Sequence, residues 1–231
     1  LLQAGPLPTP TLLQWGEGAG GAGNASDPGV LSDIFARVGG PDSTEVQAEA
    51  MVLINSSHVI GDNLWLWRAD HSVSGVVVGG ANPCTTGLRV RGDDVTLYGA
   101  AVEHTLGDLL QWYGERGQTF FYQSELPYDV TAAYGDSGHV GYRVDGAVRE
   151  HDAYGVGVYH YFRDHAVTVR SGISVPAALQ HRFVSPLGVY LNGLGTMQHV
   201  LNGAGNQTDP SHGSGAVAYV CPGRSVLTYA P

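Results

Sequence analysis

The feature that most constrains the fold is a series of short β-type segments that recurs along the chain. Each segment places a polar or charged residue beside a valine, then a turn, then alternating apolar residues, as in residues 58–67 and 94–103. The same outline returns at residues 147–158, 166–175 and 183–191. Segments this short, separated by glycine, aspartate and asparagine turns, predict an all-β fold of many short strands.

The spacing of these segments favours a solenoid. With further β-type runs at residues 75–78 and 119–122, the period is roughly 17 to 26 residues, a length typical of solenoid coils. Because the repeating units are strands and helical periodicity is almost absent, the predicted fold is a single parallel β-helix. A β-sandwich also gives short strands with regular turns, and it is the alternative.

The chain length fits one domain, so we interpret residues 1–231 as a single β-helix domain. Residues 1–44 are expected to form an irregular lead-in with one short helix at residues 27–37, capped by Asp27 and with Pro28 at its first position. We interpret the chain as a C-terminal portion of a longer protein. Open β-helix ends expose strand edges, which a second β-helix half or identical copies would cover.

Charge and composition exclude several classes of function. The chain has 21 acidic and 11 basic residues, and its net charge of −10 argues against a nucleic-acid or anionic-membrane partner. The sequence has no apolar run of about 18 residues, so we expect no membrane span. The histidine spacings match no compact ligand motif, and we predict neither a metal site nor a cofactor.

Cysteines and glycosylation motifs indicate the compartment. Cys84 and Cys221 lie far apart in the sequence and fit either one disulfide or two free thiols. Asn24, Asn55 and Asn206 each begin an N-glycosylation motif. Together these features favour a secreted, extracellular glycoprotein.

Residues 102–129 carry the strongest chemical signal. They hold Glu103, Glu115 and Glu125 among several aromatic residues. Sugar rings stack on aromatic faces, and paired carboxyl groups break their acetal bonds. Glu103 and Glu125 are separated by about one predicted coil, which would make them neighbours on adjacent strands of one groove. The alternative is a set of aromatic core residues with solvated acids between them.

Several motifs resemble known β-helix proteins of the pectate-lyase-like superfamily. Val-Glu-His at 102–104, Phe-Tyr-Gln-Ser-Glu at 121–125 and the tyrosine-rich run at 154–162 resemble the second, right-handed β-helix of the exo-β-1,3-glucanases of glycoside hydrolase family 55. The runs at 63–71 and 122–129 are similar to a bacterial group of secreted β-helix proteins found with discoidin-type carbohydrate-binding modules.

The resemblance implies a glycoside hydrolase that acts on a β-glucan-like polysaccharide, inverting by analogy. Glu125 would protonate the glycosidic oxygen while a groove water attacks C1, and Glu103 would assist through its charge or a hydrogen bond. The expected substrate-binding residues are Gln123, Ser124, Trp67, Asp70, His71, His104, Trp112, Tyr122 and Tyr159. For Asp70 and His71, capping of a turn is the alternative role.

A second function class fits the same sequence. The chain would then be a non-catalytic extracellular β-helix that binds glycan or builds a cell wall or appendage filament. The fold alone cannot choose, because β-helices host both enzymes and structural proteins. The enzyme hypothesis requires Glu103 and Glu125 to face one open groove beside aromatic side chains.

Overall fold

The computed structural model describes residues 1–18, 20–41 and 44–220, together with the backbone of Thr228–Tyr229. The strands are, in chain order, β1 (Leu2–Gln3), β2 (Thr9–Trp15), β3 (Gly29–Val38), β4 (Ala48–Ile54), β5 (Val59–Arg68), β6 (His71–Ser72), β7 (Gly75–Val76), β8 (Cys84–Val90), β9 (Thr96–Glu103), β10 (Leu110–Trp112), β11 (Gly117–Glu125), β12 (Tyr142–Val144), β13 (His151–Phe162), β14 (Thr168–Val169), β15 (Ile173–Ser174), β16 (Phe183–Val184), β17 (Leu187–Gly193), β18 (Thr196–Met197), β19 (Val217–Tyr219) and β20 (Thr228–Tyr229). The helices are α1 (Ala132–Asp136) and two 3₁₀ turns at Ala177–Arg182 and Pro210–His212.

Most strands belong to two sheets, and the chain alternates between them. The larger sheet has ten strands in the order β1-β3-β5-β9-β11-β13-β17-β19-β20, with β16 also paired to β13. The smaller has six strands in the order β15-β12-β10-β8-β4-β2. Pairing is parallel in both sheets except at β19, which runs antiparallel to β17 and β20. The structure is therefore strand-rich and built mainly from parallel pairs, as the sequence predicts.

The core lies between the two sheets, where alternate residues of each strand point inward. On β9, Leu97 and Val102 are fully buried, and their partners on β11, Thr119 and Ser124, are buried as well. The smaller sheet contributes Trp112, which is also fully buried. Two-residue periodicity therefore decides which side chains of β9 and β11 can meet solvent.

A column of left-handed residues interrupts five adjacent strands of the larger sheet at one level. Its members are Asp33, Asn63, Gly99, Phe121 and Gly155, with φ between 55° and 64°. The pairing skips each of these residues but keeps the same register on either side, so one left-handed residue of each strand lies beside that of the next. The Asn63 side-chain amide donates to the Asp33 carboxylate at 2.6 Å, so the first two members are also linked by side chains.

The register corrects the predicted period. One row of partners across the larger sheet consists of Arg37, Trp67, Glu103, Glu125, Tyr159 and Val189. Successive members of this row are 30, 36, 22, 34 and 30 residues apart in the sequence. Only the step from Glu103 to Glu125 falls in the expected range, because the other connections carry insertions such as α1 and the β6–β7 hairpin.

The predicted helix at residues 27–37 is wrong. This segment forms β3, which pairs with β5 at nine positions. The left-handed backbone of Asp33 explains the error: it interrupts the two-residue alternation, so that the apolar residues fall at helix-like intervals. The rest of the lead-in is not irregular either, because β1 and β2 already belong to the two sheets.

The structure is compatible with two of the three predicted glycosylation sites and leaves the predicted disulfide untested. Asn24 and Asn206 are exposed, but Asn55 is buried and its side-chain amide nitrogen donates to the Gly16 carbonyl at 3.2 Å. A glycan would have to attach to that nitrogen, so Asn55 is excluded as an acceptor in this fold. Cys84 is buried, and burial raises the pKa of its thiol to about 12. Cys221 lies outside the described residues, so a disulfide between the two stays a prediction.

Over the part of the chain that the structure describes, no helix is long and apolar enough to cross a membrane.

Candidate active site

The candidate site lies where β9 and β11 end. Glu103 and Glu125 are direct partners in the parallel pairing of these strands, so their backbones are about 4.8 Å apart. Trp67 is the partner of Glu103 on β5, and Tyr159 is the partner of Glu125 on β13. All four side chains are partly exposed on the outer face of the larger sheet. The structure thus brings the two carboxylates together between two aromatic side chains.

Specific donors orient both carboxylates. The Trp65 indole nitrogen donates to Glu103 Oε2 at 3.0 Å. The Gln123 amide donates to Glu125 Oε1 at 3.1 Å, and the Tyr128 hydroxyl donates to Glu125 Oε2 in a short hydrogen bond. None of these donors is a cation, so neither carboxylate is neutralised by them. Carboxyl groups held in this way can exchange protons.

The surroundings raise the pKa of both carboxyl groups. Burial is the main cause for Glu103, and repulsion from Glu125 and Asp70 adds to it; the pKa reaches about 7 in spite of the Trp65 hydrogen bond. Burial also raises the pKa of Glu125, against the lowering effect of the Tyr128 hydroxyl. Interacting carboxyl groups titrate as a unit, so this pair retains a proton near neutral pH.

Asp70 and two histidines border the pair. The Asp70 carboxylate lies 3.0 Å from His71 Nδ1, and His104 Nε2 lies 3.9 Å from both Asp70 Oδ1 and Glu125 Oε2. The His104 ring is buried and packs edge-on against Tyr128, with the ring centres 4.3 Å apart. Burial lowers the pKa of His104 to about 4, which leaves the imidazole neutral at pH 7. The sequence-predicted residues Asp70, His71 and His104 are therefore part of this cluster.

A buried ion pair supports the cluster from behind. Arg68, at the end of β5, forms two 2.9 Å hydrogen bonds with the carboxylate of Asp129. The same guanidinium donates to the backbone carbonyls of Ala81 and His104. One side chain thereby ties the segment that carries Asp70 to the segments that carry His104 and Tyr128.

Three residues predicted to bind substrate lie in the core instead. Tyr122 is buried and its hydroxyl donates to the Gly141 carbonyl at 2.9 Å, while the Ser124 hydroxyl donates to the Gly157 carbonyl at 3.2 Å. Trp112 is buried, with its indole nitrogen 3.0 Å from the Gly114 carbonyl. Strand alternation explains the first two, because only odd-numbered residues at this end of β11 face outward.

Sequence reasoning missed Trp65, Tyr128, Arg68 and Asp129. Trp65 has the same alternation as Trp67 on β5, and that pattern was the available signal. Arg68 and Asp129 contact each other across 61 residues of sequence, and Tyr128 reaches Glu125 from the loop after β11. No local sequence pattern reveals such contacts. Within the described ranges, no cluster of three or more histidine, cysteine or acidic side chains is arranged to hold a metal ion.

Comparison with known proteins places this geometry in a family. Residues 1–125 match the LAM55 pectate lyase-like domain. The chain belongs to this family. Over 215 residues it is 36% identical to an exo-beta-1,3-glucanase from Streptomyces sp. (strain SirexAA-E / ActE), a match that covers 90% of this chain and 35% of that protein. The resemblance to family 55 glucanases drawn from the sequence is thereby confirmed.

Two solved structures of sacteLam55A from Streptomyces sp. SirexAA-E are similar to this LAM55-family chain. One has a TM-score of 0.86 at 32% identity and covers 95% of this chain. The other, an ensemble refinement of a variant in complex with glucose, has a TM-score of 0.82 at 31% identity and covers 99%. In both cases the chain spans 40% of the solved protein's length, and it spans about a third of the curated relative.

Proposed function

We propose that this protein is a glycoside hydrolase that cleaves β-1,3-linked glucan. The observation that carries the proposal is the pair Glu103 and Glu125, which share the outer face of two adjacent strands. Burial raises the pKa of both carboxyl groups, that of Glu103 to about 7. Paired carboxyl groups of this kind are the catalytic apparatus of glycosidases. The similarity to an exo-beta-1,3-glucanase supports the choice of β-glucan as the substrate.

In the proposed reaction, Glu125 donates its proton to the glycosidic oxygen as the bond to C1 breaks. The Tyr128 hydroxyl and the Gln123 amide both donate to Glu125, and they stabilise the carboxylate that proton donation leaves behind. A water attacks C1, and the Glu103 carboxylate beside Glu125 assists it through its charge and a hydrogen bond by which it accepts the proton that the water loses, so the pair holds one proton before and after the reaction. If the enzyme inverts, the released sugar has the anomeric configuration opposite to that of the cleaved bond.

Aromatic side chains supply the substrate contacts. Trp67 and Tyr159 flank the pair in the same row, and Trp65 is 42% exposed beside Glu103. Such rings present flat apolar surface together with a polar group, and Trp65 already uses its indole nitrogen to orient Glu103. We assign these three residues, with Asp70 and His71, to sugar binding.

The fold that carries this site is, in our proposal, a right-handed parallel β-helix. The chain passes alternately through the two parallel sheets, and each return to the larger sheet adds a strand beside the previous one. Parallel strands connected in this way are expected to have the right-handed sense. The outer face at Glu103 and Glu125 forms one wall of the groove, and a second β-helix half or an identical copy would supply the other.

We also propose that the protein is secreted and glycosylated at Asn24 and Asn206. Both side chains are exposed, as an acceptor must be. Peptide mapping of protein made in a glycosylating host tests this assignment. Modified Asn55, or unmodified Asn24 and Asn206, would contradict it.

The deciding experiment measures sugar release from a panel of glucans with different linkages. The native protein should release sugar from β-1,3-glucan, and the Glu125→Gln variant should release far less. Glu49→Gln serves as a matched control, because Glu49 is an exposed glutamate on the smaller sheet. Equal release by native protein and Glu125→Gln, or none from either, would reject the enzyme and favour a glycan-binding role.

A further inference from the structure

Phe121 differs from every other member of the left-handed column. It has a φ of 60° and its side chain is 70% exposed. The column positions on the neighbouring strands hold Gly99 and Gly155, and the two beyond Gly99 hold Asp33 and Asn63. Glycine, asparagine and aspartate are the residue types that tolerate this backbone conformation, whereas a bulky aromatic residue there is strained.

A phenylalanine at position 121 costs free energy in two ways. Its backbone is held in a region that bulky side chains avoid, and its ring remains in water. The two glycines beside it show that the left-handed column needs no side chain at this level. Strained residues of this kind persist chiefly where they serve a function. The position therefore points to a role for the exposed ring itself.

The surroundings of Phe121 hold the ring in place. The preceding residue, Phe120, is stacked between Tyr98 and Tyr154, with ring centres 5.1 and 5.0 Å apart and planes within 12° and 3° of parallel. The faces of Tyr98 and Tyr154 are thus packed against the two faces of Phe120. Phe121, the next residue on β11, projects from this rigid stack into solvent.

We propose that Phe121 is an accessory binding platform for the β-1,3-glucan chain, separate from the carboxyl pair. This inference rests on the proposed function. Phe121 and Glu125 lie on the same strand and the same outer face, four residues apart, which corresponds to roughly 13 Å along the strand. A sugar chain that occupies the carboxyl pair extends over this distance, whereas a single sugar does not.

The chemistry of the surface fits an uncharged polysaccharide. An exposed ring offers a flat apolar face, and the apolar faces of sugar rings stack on such surfaces. The net charge of −10 does not repel a neutral glucan, although it would repel an anionic one. The occupant is therefore a neutral sugar chain that continues from the catalytic groove.

The test measures retardation of the protein in native gels that contain soluble β-1,3-glucan. All variants are made in the Glu125→Gln background, so that the glucan is not degraded during the run. Phe121→Gly should bind the polysaccharide roughly twofold to tenfold more weakly, as expected for loss of one aromatic contact. Its urea midpoint should rise, because glycine adopts this conformation without strain.

Two further variants separate the ring from the backbone. Phe121→Trp keeps an aromatic face and should preserve retardation. Asn63→Gly makes a comparable backbone change in the same column, and it should leave retardation unchanged. Loss of retardation in Asn63→Gly, or its preservation in Phe121→Gly, would overturn the proposal. So would a fall in the urea midpoint of Phe121→Gly, which would show that the ring supports the fold.

Failure of the Phe121 proposal can be distinguished from failure of the proposed glucanase function. If the native protein releases sugar but Phe121→Gly binds glucan normally, only the accessory platform is rejected. If the native protein releases nothing but Phe121→Gly loses retardation, the enzyme is rejected and the binding platform stands. No retardation of the parent protein in any β-1,3-glucan gel rejects the platform.

Discussion

Glu103 and Glu125 are direct partners on adjacent parallel strands, although 22 residues separate them in the chain. Their proximity and their burial have one consequence: the pKa of each carboxyl is raised, that of Glu103 to about 7. A carboxyl pair that retains one proton at neutral pH can donate it in a reaction. The same pair must also weaken the fold when it ionises, and this cost can be measured.

We predict that Glu103→Gln stabilises the folded protein at pH 8 but not at pH 4. The pKa of Glu103 is about 7 in the folded state against an ordinary value of 4.5, so the folded protein binds its proton more tightly than the unfolded chain. Stability should therefore fall as the pH rises from about 4.5 to 7. The shift corresponds to about 3 kcal/mol at most, which glutamine avoids because it cannot ionise. Urea unfolding at the two pH values measures the difference; an equal effect at both would contradict the prediction.

We predict that the defect of Glu125→Gln depends on the leaving group. A general acid contributes about 10²–10⁴-fold to the rate, so cleavage of β-1,3-glucan should fall by that order. An aryl β-glucoside with an acidic phenol needs no protonation as it departs, so its cleavage should fall much less. Initial rates on the two substrates give the comparison. Glu103→Gln should lose activity on both substrates in similar proportion. If the defect of Glu103→Gln, and not that of Glu125→Gln, depended on the leaving group, Glu103 would be the general acid.

The fold class and the pairing of Glu103 with Glu125 could both be predicted from the sequence, but for different reasons. Short segments with a two-residue alternation are a local property, so an all-β fold could be predicted from them. The Glu103–Glu125 partnership could be predicted because the step between them happens to be the shortest in its row. The steps that contain the β6–β7 hairpin and α1 are longer, and the sequence does not show where an insertion leaves the sheet.

The predictions that were wrong, and the contacts that were missed, have physical causes at particular residues. The left-handed backbone of Asp33 displaced the alternation of β3, so that its apolar residues have the spacing of a helix. Tyr122 and Ser124 flank Gln123 in the sequence, yet they face the core because adjacent residues of a strand point to opposite sides. The Arg68–Asp129 pair joins positions 61 residues apart, and only the folded chain brings them together.

We predict that Tyr128→Phe moves the alkaline limb of the activity profile to higher pH. The Tyr128 hydroxyl donates to Glu125 and lowers its pKa, so loss of the hydroxyl should raise that pKa further. The acid then keeps its proton to a higher pH, while the rate at the optimum falls because the carboxylate product loses a donor. The measurement is the pH dependence of glucan cleavage. Tyr113→Phe, at an exposed tyrosine after β10, is the control, and a limb displaced to lower pH would disprove the assignment.

We predict that Asp129→Asn destabilises the protein by about 3–5 kcal/mol, because it leaves the Arg68 guanidinium buried without its anionic partner. Burial alone would raise the pKa of Asp129, but the hydrogen bonds and charge of Arg68 lower it. The stabilisation is therefore present at neutral pH and is lost as the pH falls through the folded-state pKa. Urea unfolding of Asp129→Asn, of Arg68→Met and of the double variant Arg68→Met/Asp129→Asn measures the coupling.

The double variant should be more stable than Asp129→Asn alone, because it removes the uncompensated buried charge. It should not recover glucan cleavage, because Arg68 also holds the backbone carbonyl of His104, whose ring lies beside Glu125. Stability and activity would then separate: the first depends on charge balance, and the second on the hydrogen bonds that only arginine makes. If the double variant regains both, the ion pair stabilises the fold without positioning the site.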